Sequence, residues 1–162
     1  MNLRKALVGS IREKCAGKLH LKVDRFIKAS QKETGVSSFS VVTLENGSIG
    51  ISYNLFHRDP EGLRRYRRWD ARQVVGRQSG EALYLFLSDD PFEKTAGLAV
   101  LNALSHDYVR RHPGGYRLDF ETDAADLVGL DKTKTVGLVG YFTPMIKSLM
   151  ERAREVVVLE KD

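Results

Sequence analysis

The turn at residues 140–144 is the stretch whose residue types and spacing could bind a ligand. In KTVGLVGYFTP, residues 134–144, an apolar segment ends at Gly140, and Thr143-Pro144 opens an amphipathic one. A strand followed by a helix in this way presents unpaired backbone N–H groups and the positive end of the helix dipole. Anionic groups bind such places at the carboxyl edge of open α/β sheets. The stretch therefore predicts either an anion-binding turn or a turn whose glycines only ease packing.

Glu160 is the natural companion of this turn. It ends the next apolar segment, EVVVLE, twenty residues after Gly140, where dinucleotide-binding folds place a carboxylate that accepts from a ribose hydroxyl. The glycine pattern is not G-x-G-x-x-G, Pro144 lacks one backbone donor, and Tyr141 and Phe142 are bulky. The sequence therefore favours a small ligand over a dinucleotide at this turn.

The elements that must position the turn form a βαβ unit. The segments TKTVGLVG and EVVVLE have the composition of buried strands, and TPMIKSLMERA between them predicts a helix. Strands joined by a helical crossover are normally parallel. Two strands with one or two helices cannot cover both faces of a sheet, so we expect a homodimer or a second subunit to complete it.

The preceding part of the chain predicts helices and an antiparallel meander. Apolar residues every four positions, from Leu3 to Cys15, indicate a helix over about residues 2–16, and LHLKV at 19–23 alternates like a strand. Asn46-Gly47 between two alternating segments predicts a β-hairpin with a type I′ turn. A helix is expected over about residues 91–111, capped by Asp90 and buried in its middle.

Composition limits the class of protein. The chain has 162 residues, 42% of them hydrophobic and 29% charged, which suits one domain, or one domain and part of a second. No apolar run approaches the roughly 18 residues that span a bilayer, so no membrane partner is expected. The charged N-terminus lacks the apolar segment of a signal peptide, and a cytoplasmic location is the default expectation.

Arginines are concentrated between residues 58 and 77, where seven of them face three acidic residues in a chain of net charge +5. Interleaved with Tyr66 and Trp69, they could bind single-stranded nucleic acid by stacking and phosphate neutralisation. They could also form an anion-binding rim, or simply a solvated basic surface. The candidate rim consists of Arg64, Arg65, Arg67 and Arg68.

Residues for metal binding or catalysis form no strong pattern. The four histidines are scattered, with no His-x-x-x-His pair, and no nucleophile motif is present. A carboxylate such as Glu160 would need a bound small molecule to help it hold a metal. The single cysteine, Cys15, lies on the apolar stripe of its helix and is expected to be a buried, inert thiol.

Three stretches together carry a family resemblance. GLAVLNAL at 97–104, VGLVGYFTP at 136–144 and EVVVLE at 155–160, with ENGSIGISY as the hairpin, resemble the "putative heavy-metal chelation" family of bacterial and archaeal proteins. The resemblance implies an enolase N-terminal-like domain followed by a Rossmann-like domain, with a site in the cleft between them. It covers this whole chain but only the first two-thirds of the family's length.

The resemblance also implies which residues line the site. It transfers this role to Asn102, Gly140, Tyr141, Phe142, Pro144 and Glu160, with Thr143 among the residues that supply backbone donors. Asn102 attracts attention independently, because an amide on an apolar helix needs a hydrogen-bonding partner. Its alternative role is to join two backbone segments.

We therefore expect an α+β protein with an enolase N-terminal-like domain at residues 1–112 and a partial Rossmann-like βαβ segment at 118–162. The expected function is binding of a small anionic molecule or a metal chelate, with the metal ion or chelate as its cofactor and catalysis left open. The alternatives are a nucleic-acid-binding module and a non-catalytic structural or regulatory subunit.

Overall fold

The structure is a computed structural model that describes residues 2–29, 39–54, 59–115, 119, 122–141 and 143–160. Its backbone forms two compact units, residues 1–116 and residues 117–162. The first contains an antiparallel sheet with helices and the second a parallel pair of strands. The α+β class expected from the sequence is confirmed.

Within the described residues, the first unit follows the order helix, three strands, three helices, with 3₁₀ turns at 16–18, 71–73 and 83–87. Its strands pair antiparallel in the order β1–β2–β3. Its elements are α1 (Leu3–Lys14), β1 (Val23–Ala29), β2 (Phe39–Leu44), β3 (Ile49–Tyr53), α2 (Pro60–Arg68), α3 (Ser79–Ala82) and α4 (Pro91–Arg111).

The β2–β3 hairpin forms where Asn46-Gly47 predicts it, but with a different turn. Only Gly47 has a positive φ, of 80°, so the turn is not type I′. The Leu44 amide donates to the Ser48 carbonyl (2.9 Å), which leaves a three-residue loop. Such loops combine an ordinary turn with one glycine in the left-handed region. The Asn46 and Ser48 side chains also donate to Asp107 of α4, which ties the turn to that helix.

Helix α4 seals the inner face of the sheet. Asp90 caps it by accepting from the Phe92 and Glu93 amides (2.8 and 3.0 Å), as the sequence predicts. A Cβ at Gly50 of β3 would lie 2.0 Å from the Ala99 carbonyl oxygen, so only glycine permits this approach. The core between α4 and the sheet includes Val23, Val42, Leu44, Leu83, Ala96, Val100 and Leu104.

Two sequence predictions for the first unit are displaced. Val8 of α1 and Cys15, which directly follows this helix, are buried, whereas Leu3 and Leu7 are exposed. The strand expected at 19–23 begins only at Val23. The residues before it bond instead to the loop at 77–80, through the amides of Ser79 and Gly80 and the carbonyls of Leu21 and Leu19.

The outer face of this sheet carries a row of apolar side chains. They alternate with the buried residues of the inner face, as the strand period requires. Five of them are between 44% and 52% exposed: Ile27, Phe39, Ile49, Ile51 and Tyr53.

The second unit is the expected βαβ unit. It contains α5 (Ala124–Leu127), β4 (Thr135–Val139), α6 (Thr143–Arg152) and β5 (Glu155–Leu159). The strands pair in parallel, from Thr135 opposite Glu155 to Val139 opposite Leu159. Alternate residues are half-buried beside α6, whose Ile146 and Leu149 are buried. The other face is exposed and includes Val139, at 85% exposure. Among the described residues, no helix has the length and apolarity to cross a bilayer.

Candidate functional site

The turn between β4 and α6 lies at the carboxyl edge of the parallel strands. Gly140 has a φ of 93°, in the left-handed region that favours glycine. Its amide donates to the Leu159 carbonyl at 2.8 Å, which extends the parallel pairing by one bond. The glycine is therefore required by backbone geometry, and its N–H is occupied within the chain.

The next amide is also occupied. The Tyr141 N–H donates to Oε2 of Glu160, so the carboxylate that the sequence singles out lies directly on the turn. Sequence reasoning predicts both partners but not their bond. The Glu160 carboxylate of the protein itself is therefore the anion bound at this turn. A bare anionic ligand would meet the like charge of Glu160 at the Tyr141 amide.

The side chains around this bond are open to solvent. Tyr141 is 66% exposed, and Thr143, the first residue of α6, is exposed as well. Pro144 is the second residue of that helix, as its fixed φ allows. Phe142 lies outside the described residues. Among the predicted turn residues, the described ones thus place one carboxylate, one exposed phenol ring and one hydroxyl residue at a single edge of the sheet.

Asn102 belongs to the first unit and has a defined partner there. Its Nδ2 donates to the Ile51 carbonyl at 2.7 Å, which joins α4 to β3. β3 is an edge strand, and this bond gives its Ile51 carbonyl a hydrogen-bond donor. The contact matches the alternative role considered for this residue, the joining of two backbone segments.

The four candidate rim arginines lie on α2 and are all exposed. Arg64 forms an ion pair with Glu61 at 2.5 Å, and the Arg65 guanidinium lies 5.4 Å from the centre of the Phe92 ring. The aromatic residues next to these arginines face inward: Tyr66 is fully buried, and Trp69, which follows Arg68, packs against the core. Tyr66 is therefore not available to stack on a base. The remaining members of the rim are Arg67 and Arg68.

Comparison with known proteins places the chain in a family. Two family models match it, at residues 34–105 and at residues 123–162, and both are described as "Putative heavy-metal chelation". The chain belongs to the "putative heavy-metal chelation" family. None of the curated proteins matches it.

Solved structures of the DUF364 family resemble the chain in fold. A protein of unknown function from Desulfitobacterium hafniense is 20% identical, with a TM-score of 0.52 over 96% of this chain and 58% of that one. A protein of unknown function from Pyrococcus horikoshii is 22% identical, with a TM-score of 0.51 over 96% of this chain and 57% of that one. The chain thus spans less than three fifths of the length of these two structures.

For a chelation family member, the supply of metal ligands is the first question. Among the described residues, no three His, Cys, Asp or Glu side chains come together as a metal-binding group. Structural metal sites in proteins usually need three or four such ligands. These residues therefore do not fit a bare metal ion. A single carboxylate such as Glu160 fits a metal that a small chelator already holds.

Cys15 offers no further ligand. It is 1% exposed, and its thiol donates to the Leu104 carbonyl at 3.5 Å. Burial raises the pKa of this thiol, which keeps it protonated. The expectation of a buried, inert cysteine is confirmed in its burial.

Lys28 is an organising residue that sequence reasoning missed. Its Nζ donates to the carbonyls of Tyr66 and Arg67 and to that of Trp69, so it holds the C-terminal end of α2. A cation is favourable there because the helix dipole is negative at that end. Burial lowers the pKa of Lys28. The sequence does contain a signal for this role. Lys28 lies two residues after Phe26 and so shares the inner face of β1, where a lysine requires hydrogen-bonding partners.

Proposed function

We propose that the chain binds a small metal chelate at the carboxyl edge of the β4–β5 pair, with Glu160 as the protein's ligand. The observation that carries this proposal is the position of the Glu160 carboxylate on the Tyr141 amide. That bond orients the carboxylate and leaves it next to the exposed Tyr141 ring.

Electrostatics favours a chelate over the free anion that the sequence also predicts. A carboxylate has two oxygens with about four lone-pair sites, so an amide hydrogen bond to one oxygen does not prevent the group from binding a cation. A free anion at the same amide would have to displace Glu160 or meet its charge. A metal ion in a chelator presents positive charge to Glu160 while its organic part contacts the ring of Tyr141. The residues proposed to line the site are Gly140, Tyr141, Phe142, Thr143, Pro144 and Glu160.

The test uses Ni²⁺–nitrilotriacetate, an anionic chelate with open coordination positions, on the ¹⁵N-labelled full chain. We expect saturable paramagnetic broadening of the amide signals at 139–141 and 159–160, and its loss in Glu160→Gln. Glu155→Gln is the matched control, because Glu155 lies at the opposite end of the same strand. Its broadening should equal that of the wild type.

Two further titrations decide between ligand classes. Nitrilotriacetate without metal is diamagnetic, so it reports anion binding through changes in the chemical shifts of the same amides. NiCl₂ without chelator reports binding of the bare ion through broadening. The proposal fails if either probe alone binds at these amides as tightly as the chelate does, or if Glu160→Gln leaves the broadening by the chelate unchanged. Broadening confined to His20, His106 or His112 would identify ordinary surface histidine binding and would also contradict it.

A nucleic-acid-binding role for α2 is the second candidate, supported by its four exposed arginines. Because the Tyr66 ring is buried, this role would rest on phosphate contacts. Affinity for a single-stranded oligonucleotide should then fall steeply with salt. An affinity that is absent at low salt contradicts this candidate.

The partner that the sequence predicts for the second unit stays a prediction. The exposed apolar residues on one face of β4–β5, Val139, Val157 and Leu159, are consistent with a covering surface. We propose a homodimer as the simplest source of that surface. Sedimentation analysis at high concentration tests it, and a single species of 18.2 kDa would contradict it.

A further inference from the structure

A cavity in the first unit, separate from the β4–α6 turn, has the features of a ligand pocket. It has a volume of about 470 Å³ and lies beside the end of β3 and the first turns of α4. Ligand pockets typically measure about 300–1,000 Å³, with apolar walls and a few polar groups. Its apolar walls are Phe86, Pro91, Leu98 and the ring of Tyr53.

Lys94 is the cationic side chain in the described lining of this apolar cavity, which also includes the acidic residue Asp59. Lys94 is half-buried. Within the part of the chain that the structure describes, its ammonium has no hydrogen bond or ion pair. A carboxylate in the cavity would give this ammonium a charge-assisted hydrogen-bond acceptor.

The other polar groups of the cavity already have partners. Asp59 caps α2, where its carboxylate accepts from the Glu61 amide at 3.0 Å. The Thr95 carbonyl accepts from the Ser52 hydroxyl at 2.9 Å. The start of α4 is satisfied by Asp90, so its backbone donors are not the source of affinity. Asp59 keeps its negative charge, so an acidic occupant would have to place its carboxylate on the ammonium of Lys94, the cationic donor of the described lining.

We propose that this cavity binds an apolar monocarboxylate, with an aromatic or branched body between Phe86 and Leu98 and its carboxylate on Lys94. Apolar burial supplies affinity for the body. The charge-assisted hydrogen bond from the ammonium selects the acid over the corresponding alcohol. This site lies wholly within the first unit and does not depend on the proposed role of Glu160.

The probes are 4-phenylbutyrate and its neutral counterpart 4-phenylbutan-1-ol, titrated into the ¹⁵N-labelled full chain. We expect 4-phenylbutyrate to shift the amide signals of Lys94, Thr95 and Leu98, and to bind about tenfold more tightly than the alcohol. Lys94→Gln should weaken the binding of 4-phenylbutyrate by about tenfold and leave the binding of the alcohol unchanged. Lys94→Arg should retain the preference for the acid.

Two variants complete the test. Lys5→Gln removes an equal charge from the exposed face of α1 and should leave both affinities unchanged. Leu98→Trp fills the cavity and should weaken both probes. The proposal is overturned if acid and alcohol bind equally, if Lys94→Gln does not alter the affinity for the acid, or if the shifted signals lie outside the cavity. Because Glu160→Gln should leave this binding unchanged, failure here is distinguishable from failure of the chelate site.

Discussion

The two sheets of this protein bury their strands to very different degrees. In the antiparallel sheet, α4 lies so close to β3 that Gly50 has no room for a Cβ, and Val42 is fully buried. In the parallel pair, a Cβ on Gly137 of β4 would meet no atom within 4 Å. The first sheet is therefore densely packed against its helix, whereas the second has one exposed face.

The largest expected difference between the two sheets appears when one methyl group is added to each. Gly50→Ala forces a Cβ to within 2.0 Å of the Ala99 carbonyl, so strand and helix must separate. We expect the free energy of unfolding to fall by about 3 kcal/mol or more. Urea unfolding followed by the fluorescence of Trp69, the chain's single tryptophan, measures this in the first unit.

Gly137→Ala is the matched control, because it makes the same change in a strand with open space. Alanine restricts the unfolded chain and suits a strand better than glycine does, so we expect a gain of up to about 1 kcal/mol. Far-UV circular dichroism follows this variant. Equal losses in the two variants would show that the two sheets are packed alike.

Alkaline pH should destabilise the densely packed first unit, because this unit contains the buried phenol of Tyr66. Burial raises the pKa of Tyr66 to about 12, although its hydrogen bond with Ser40 opposes the shift. The unfolded tyrosine ionises near pH 10, so between pH 10 and 12 the folded state binds more protons and stability falls as pH rises. The contribution of Tyr66 is fully present below pH 10, and its loss by pH 12 is about 2–3 kcal/mol.

The control for this prediction is Tyr66→Phe, which removes the titrating group but retains the ring. The difference between wild type and variant isolates Tyr66 from the other groups that contribute to the pH dependence of stability. Parallel stability curves for the two proteins between pH 10 and 12 would contradict the assignment.

The smallest expected effect concerns the tether between α4 and β3. Asn102→Ala removes the bond to the Ile51 carbonyl, and we expect a loss of about 1 kcal/mol. If Asn102 only joins α4 and β3, its replacement should lower stability and leave the affinity for Ni²⁺–nitrilotriacetate unchanged. A lower affinity would show that Asn102 also contributes to ligand binding. The urea midpoint and the chelate titration, measured on the same variant, separate the two roles.

Local patterns predicted much of the fold. Asp90-Pro91 fixed the start of α4, Asn46-Gly47 marked the hairpin, and the segments around Gly140 indicated a parallel βαβ unit, because each signal acts over a few residues. The strand expected at 19–23 was displaced, because its pairing with residues 77–80 depends on contacts that no local pattern contains.

The candidate site was predictable in its members but not in its bonds. Gly140 and Glu160 stood out by spacing, yet nothing in the sequence indicated that the carboxylate would occupy the Tyr141 amide. The pocket at Lys94 gave no signal at all, since a single lysine on a helix is ordinary until the neighbouring walls are known. The domain boundaries at 112 and 118 and the roles of the site residues stay predictions.

In the β4–α6 turn, the amides of Gly140 and Tyr141 donate hydrogen bonds to acceptors nineteen residues further along the chain. These acceptors belong to Leu159 and Glu160. The conformation of this turn is therefore a non-local property, acquired only when β5 has docked beside β4. A synthetic peptide that contains the turn and α6 but stops before β5 should consequently lack the geometry of the turn. Any assay of this edge of the sheet requires both strands.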